Sequence, residues 1–340
     1  MKKSGVIRHR RNLQVLVHED AVQGYTHIYS PICHKGRIYP YTEDAGAIFE
    51  VIFRERKLTV SVVCDGHSGY KAANLVCEFI PTIFEYCLEL SSDDIQAALS
   101  ILFNKTATHI KDNPNLIGIS GCTCNVTVFD LEKESVYIAS LGDSPTLRYR
   151  KDSNGKYHLV WRTIDQDCAD SEEIERMVQI HKKNGQPNAT SEDVVYEVFD
   201  SGEPSGIWRN KRTQAMLHSS FGDIPCDYYP GIVNTVPRIY SQKWTPKQRS
   251  DIWIQTTDGL LEWLTKNNLG IKPCGDFRIK EIATHLDACY QSDNIARDLH
   301  SAQVESMLRE RINSYPRRRD NTKEWIEKNF DNHLTKVFMR

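Results

Sequence analysis

The chain has 340 residues, 43 of them Lys or Arg and 45 Asp or Glu, so its formal net charge is −2. That balance gives no global positive field for nucleic acid, and no run approaches the roughly 20 apolar residues of a membrane span. Hydrophobic residues at 40% and charged residues at 26% are those of an ordinary folded chain, long enough for one large domain or two modest ones.

Residues 1–35 form a leader with a basic start (Lys2, Lys3, Arg8, Arg10, Arg11). It has no apolar stretch or cleavage-like site, so it reads as a solvated terminus and not as a secretory signal. Ala47 to Phe53 and Leu58 to Cys64 predict two strands joined by the charged turn Arg54-Glu55-Arg56-Lys57. Asp65-Gly66-His67-Ser68-Gly69 interrupts the second run. A helix fits Tyr70 to Leu90, because Ala73, Val76, Cys77, Ile80, Ile83, Phe84 and Cys87 recur at helical spacing, and Pro81 within it predicts a kink or break. Ser92 is read as the cap of a second helix running through His109.

Short strands follow at Cys122 to Phe129, Ser135 to Leu141, Thr146 to Tyr149 and Tyr157 to Trp161, with Asn154-Gly155 as a hairpin turn. Their sequence favours antiparallel pairing. Ser171 to Lys183 is a polar helix, and Gln186 to Thr213 reads as a surface excursion. Asp251 to Thr257 is a buried strand, and a helix begins at Gly259. Helical patterns recur over Phe277 to Leu286 and Asn294 to Ile312, and Leu334 to Met339 closes the chain as a strand. No linker separates two cores, so residues 36–340 read as one domain. The ten cysteines are scattered, several within apolar runs; they read as buried free thiols in a reducing compartment, the cytoplasm first and the nucleus second.

Asp65, Asp143 and Asp258 stand where apolar strands end, and Asp65 and Asp258 are each followed by Gly. Glu43 and Asp44 precede the first strand, and Glu262 follows Asp258 by four residues, one helical turn. Such an oxygen-only set suits Mg2+ or Mn2+ and not zinc. His67, in a Gly-flanked loop two residues past Asp65, is the candidate proton donor. Arg37, or Lys35 near it, is the candidate phosphate clamp, the Arg fork being the better match to phosphoryl oxygens. Any one of these acids alone would more often be a turn former.

Together the motifs are recognisable. Glu43-Asp44-Ala45, Val63-Cys64-Asp65-Gly66-His67-Ser68-Gly69, Gly121-Cys122-Thr123, Gly142-Asp143-Ser144, Phe221-Gly222-Asp223, Thr257-Asp258-Gly259-Leu260 and Asp331-Asn332 follow in order. In this the chain resembles the metal-dependent serine/threonine protein phosphatases of the protein phosphatase 2C type, from near Arg37 to its end. The resemblance implies an α+β four-layer sandwich, two central antiparallel β-sheets flanked by α-helices. It implies two Mg2+ or Mn2+ ions in a core site, bridged by Asp65 and completed by the Gly66 carbonyl, Asp258 and Asp331, with Glu43 and Asp44 supporting them through water. Asp143 and Glu262 match positions that help hold a third, weaker ion. Arg37 would hold the substrate phosphate, His67 would protonate the leaving oxygen, and residues 186–213 fall where the family carries a variable flap. Phosphorylated proteins are the implied substrates, with the protein acting as a monomer.

The chain departs from the family pattern in places. Pro145 and Ser219 stand where the family usually has Arg, Glu262 where it has Asp, and one extra residue lies between Asp331-Asn332 and Thr335. A bulge would absorb that residue; otherwise Asn332 would face the metal in place of Asp331. The alternative function is a pseudophosphatase, the same fold acting as a regulatory or scaffolding partner.

Overall fold

The computed structural model describes residues 43–258 apart from 168–169, 201–202, 211–218, 224–232, 246–247 and 249, together with 282–288, 335–338 and, as backbone, 16–18, 25–27, 33–34, 37–38, 196–200 and 203–210. In the leader, β1 (Leu16–His18) pairs with β2 (Tyr25–His27), and β3 (Cys33–His34) with β4 (Arg37–Ile38).

Strict alternation builds the first long hairpin. β5 (Ala45–Phe53) turns to its helix-facing side Ala45, Ala47, Phe49, Val51 and Phe53, and β6 (Arg56–Cys64) adds Leu58, Val60, Val62 and Cys64. The turn between them is made by Arg54 and Glu55 at φ 50° and 69°. Both are left-handed, as a two-residue turn matching the strand twist requires. β7 (Gly66–His67) follows after Asp65.

α1 (Lys71–Leu90) lays Ala73, Val76, Cys77, Ile80, Phe84 and Cys87 onto that sheet, each large apolar side chain contributing about 1.5–3 kcal/mol on burial. Pro81 does not break it: the helix is continuous, its buried stripe holding both halves on one surface. α2 (Ile95–Asp112) is capped by Asp94, whose Oδ1 accepts from the N–H groups of Gln96 and Ala97 at 2.9 and 3.2 Å. Ser92, expected as the cap, lies instead in the preceding turn at φ 54°. An Asp one residue before the apolar pattern satisfies two orphan donors at once. α3 (Pro114–Ile117) leads into β8 (Gly121–Cys122).

The expected Cys122–Phe129 strand is divided at Thr123, so that β9 is Cys124–Asp130. β10 (Ser135–Leu141), β11 (Thr146–Lys151) and β12 (Tyr157–Arg162) follow as expected within one or two residues. α4 (Ser171–Lys183) is capped by Asp170, and α5 (Ser191–Val194) is a single turn. Within the excursion, β13 (Val195–Asp200) and β14 (Glu203–Asn210) form a hairpin. β15 (Phe221–Gly222), β16 (Arg238–Lys243), β17 (Ile252–Thr256) and β18 (Thr335–Phe338) complete the strands.

Two antiparallel sheets result, one in the order β16-β10-β9-β6-β5 and the other β12-β11-β17-β18. α1 and α2 cover the first sheet, and the helix over 282–288, in which Ile282 and Leu286 are buried, is tied to the second by Asp287, which accepts from the Tyr157 N–H of β12 at 2.7 Å. This is the layered α+β sandwich that the sequence predicts. The surface between the sheets is divided. One end is aromatic, with Phe129, Trp244 and Trp253 in contact. The other is polar, with Ser61, Asn125, Thr127, Thr146 and Gln255 buried and joined by hydrogen bonds. The polar end leads to the loops that carry the acidic residues. Among the described residues no helix is long and apolar enough to cross a membrane.

Candidate metal and phosphate site

β6 ends at Cys64, and Asp65 is held there from both sides of its peptide. Its N–H donates to Thr123 Oγ1 at 3.1 Å, and its carbonyl accepts from the Thr123 N–H at 2.9 Å. Thr123 Oγ1 lies 2.6 Å from Ser144 Oγ, so the turn after β10, with Gly142 at φ 91° and Asp143 beside it, is tied to the same point. Gly66 is forced by proximity. A Cβ there would run into the main-chain carbonyl of Glu43, which brings the Glu43–Asp44 segment against the Asp65 loop. Asp44 is buried, and the hydroxyl of Thr257 donates to its Oδ2 at 3.1 Å, which anchors the end of β17 where Asp258 follows.

The outcome is an electrostatic cluster. Burial, then the neighbouring carboxylates of Asp258, Asp44 and Asp143, push the Asp65 carboxyl well above the usual carboxylate range. Four acids that penalise one another's charge are a donor set that divalent cations would relieve, and all of the donors are hard oxygen. Among the described residues no three His, Cys, Asp or Glu side chains converge as a ready-made ligand set. The chemistry of the set and the close approach at Gly66 nonetheless fit hard divalent ions.

His67 lies on β7, in a small sheet of order β15-β8-β7. His67 is opposite Gly121, and Gly121 is opposite Gly222, so His67 and the residue after Gly222 are brought to the same edge. That residue is Asp223. Its Oδ2 is 2.7 Å from His67 Nε2 and also accepts from Ser220 Oγ at 2.5 Å. Burial alone would lower the His67 pKa, but Asp223, then Glu43 and Asp258, outweigh it and raise the value above the ordinary histidine range. The Asp223 carboxylate thus favours the charged form of the ring over the neutral one.

The residues singled out in the sequence fall into two groups. Asp65, Gly66, Asp44, Asp143 and Asp258 come together, with Glu43 joined through its carbonyl and His67 at the edge. Glu262 and Asp331, with the question of Asp331 against Asn332, lie outside the described residues, as does the side chain of Arg37. Sequence reasoning passed over Asp223 as a partner of His67, although its Phe-Gly-Asp motif carries a signal: a glycine followed by an acid, here at φ 88° and 53°.

A sequence profile described as Protein phosphatase 2C matches residues 54–269, more than half of the chain. Many solved structures are similar in fold, among them the following two. A serine-threonine phosphatase 2C from Toxoplasma gondii is 14% identical with a TM-score of 0.61, over 97% of this chain and 100% of that one. A C. elegans sex determining protein is 14% identical with a TM-score of 0.56; the match takes in 93% of this chain but only 65% of that longer one. No curated protein matches significantly.

Proposed function

Because the chain belongs to the protein phosphatase 2C family, we propose that it is an active, metal-dependent enzyme that hydrolyses phosphoserine and phosphothreonine in proteins. The observation that carries this reading is the group of carboxylates around Asp65 with His67 at its edge, held to Asp223 at 2.7 Å. Asp65, the Gly66 carbonyl, Asp258 and Asp331 would hold two Mg2+ or Mn2+ ions, Glu43 and Asp44 would support them, and Asp143 with Glu262 would hold a third, weaker one. Such ions supply Lewis acidity at the phosphoryl oxygens and make water a competent nucleophile near neutral pH.

The protein's own groups do the rest. Arg37 would clamp the phosphate by its guanidinium fork. His67 would carry a proton to the departing serine or threonine oxygen, a role supported by the carboxylate that favours its charged form. Thr123, Ser144 and Thr257 hold the backbone and side chains of the acidic loops and limit their reorganisation. The cysteines have no part in the reaction; Cys64, Cys77, Cys87, Cys122 and Cys124 are buried free thiols, which suits action in a reducing compartment such as the cytoplasm or nucleus. We take the acting species to be the monomer.

The deciding experiment is turnover of a phosphothreonine peptide with added Mn2+ and with EDTA. Turnover that depends on the metal is expected. Full activity after exhaustive chelation would overturn the metal-dependent reading, and no turnover at any metal concentration would leave the fold as a regulatory partner.

A further inference from the structure

As a proton donor, His67 needs its ring held in one orientation. The ring is attached to the main chain only through a two-residue strand, and its side chain keeps 35% of its surface exposed, so the fold alone does not hold it. Asp223 does. It keeps only 16% exposure, and its Oδ2 faces His67 Nε2 at 2.7 Å while accepting from Ser220 Oγ at 2.5 Å. The backbone is shaped for this contact: Gly222 at φ 88° and Asp223 at φ 53° are both left-handed, a conformation that costs a non-glycine residue energy. Gly121 lies against the pair, where a Cβ would run into both Asp223 Oδ2 and His67 Nε2. The Ser220 hydroxyl, the left-handed Gly222–Asp223 turn and the bare Gly121 thus serve one hydrogen bond between residues 156 apart in sequence.

We propose that Asp223 is a positioning residue for His67: it fixes Nε2, so that the opposite ring nitrogen, Nδ1, is the one that delivers the proton to the leaving oxygen. This rests on the phosphatase reading above. In the step concerned, the bond between phosphorus and the serine or threonine oxygen breaks, and its electron pair stays on that oxygen. A bond from water oxygen to phosphorus forms. The departing oxygen takes the proton from Nδ1, and the proton released by the attacking water restores the imidazolium. Water and the phosphoester therefore give alcohol and phosphate with no other reactant. An aryl leaving group such as p-nitrophenolate departs without needing that proton, so it separates ring positioning from general damage.

The test uses the full chain with Mn2+ and compares the parent with Asp223→Ala, Asp223→Asn and Ser220→Ala. A correctly placed general acid gives on the order of 10²–10⁴-fold. Asp223→Ala should lose a large part of this, about 10–100-fold in kcat on phosphothreonine peptide, with KM and the Mn2+ half-saturation unchanged and a distinctly smaller loss on p-nitrophenyl phosphate. Asp223→Asn keeps the shape but not the charge and should fall between Asp223→Ala and the parent, as should Ser220→Ala. Nitrogen chemical shifts of the His67 ring should report one hydrogen-bonded nitrogen in the parent and averaged nitrogens in Asp223→Ala. Equal losses on both substrates, or a raised Mn2+ requirement, would overturn the proposal by assigning Asp223 to the fold or the metal. If the parent turns over neither substrate, the phosphatase reading itself fails, whereas ring shifts identical in parent and variant overturn the positioning role alone.

Discussion

The hydroxyl of Thr123 lies 2.6 Å from that of Ser144, and this contact joins the loop that carries Asp65 to the loop that carries Asp143. It is the outer end of a buried polar chain. Asn125 donates to the Ser144 carbonyl at 2.9 Å and accepts from Thr146 and Gln255, and Gln255 in turn accepts from Ser61. Polar groups buried between sheets are costly unless satisfied, and here they satisfy one another. The same chain that fills the polar end of the sandwich therefore fixes the separation of two acidic loops.

Thr123→Val tests that coupling with little change in volume. It removes the acceptor of the Asp65 N–H and the partner of Ser144. A donor left buried without its acceptor costs about 1–3 kcal/mol. Urea unfolding should show a loss of that size, and the Mn2+ concentration for half-maximal turnover should rise, because Asp65 is no longer held relative to Asp143. Unchanged metal dependence alongside lowered stability would confine Thr123 to the fold.

Gly66→Ala is expected to act on the site before it acts on the core. The added methyl would meet the main-chain carbonyl of Glu43, which cannot rotate away as a side chain would. Overpacking of this kind costs roughly 1–3 kcal/mol, equivalent to about 5–150-fold in affinity if it falls on metal binding. Calorimetric titration with Mn2+ reads the change directly. Parent-like affinity would mean that the Glu43 segment moves freely.

Much of the sandwich was legible because alternation and helical spacing are dense in β5, β6, β9, β10 and α1, where one face of each element is continuously apolar. Asp65, Asp143 and Asp258 were legible because each follows the end of a strand. What escaped were relationships of low local information. A pairing between the two-residue strands Gly66–His67, Gly121–Cys122 and Phe221–Gly222 has no period to read, so the His67–Asp223 contact could not be seen. Ser92 and Asp94 both resemble caps in sequence, and only the chain direction at φ 54° and 74° over Ser92 and Asp93 decides between them. Nothing in the sequence marks Lys336 within the closing strand as a core residue, since lysine rarely lies in a core.

Yet Lys336 is wholly buried, and its Nζ donates to the carbonyls of Ala47 and Val62 at 2.8 and 2.5 Å. Burial, opposed more weakly by the nearby Cys77, Cys64 and Cys124, lowers its pKa to about 7. In the unfolded chain it titrates near 10.4. Between these values the unfolded chain holds a proton that the folded chain lacks, so stability rises with pH across that window and is level below it, by at most about 1.4 kcal/mol per pH unit. Urea unfolding of the parent and Lys336→Met at pH 7 and pH 9.5 should show a difference that shifts in favour of the parent at the higher pH. A difference independent of pH would mean that the two carbonyls hold the ammonium charged.

We expect the final metal carboxylate to be Asp331 and not Asn332, with a bulge before β18, whose backbone pairs Thr335 with Thr256. That pairing sets the start of β18 beside the end of β17, two residues before Asp258 and at the end of the sheet where the acidic loops lie. A hard divalent ion gains more from a charged oxygen than from a neutral amide, and a bulge at His333 would absorb the extra residue that separates Asp331-Asn332 from Thr335. Asp331→Asn should therefore weaken Mn2+ binding and lower phosphopeptide turnover strongly even at high metal, whereas Asn332→Ala should be milder on both. Manganese titrations of binding and of rate, run on each variant, distinguish the registers. Parent-like behaviour of Asp331→Asn at all metal concentrations, with a large defect in Asn332→Ala, would put Asn332 at the ion and leave the site one charge poorer.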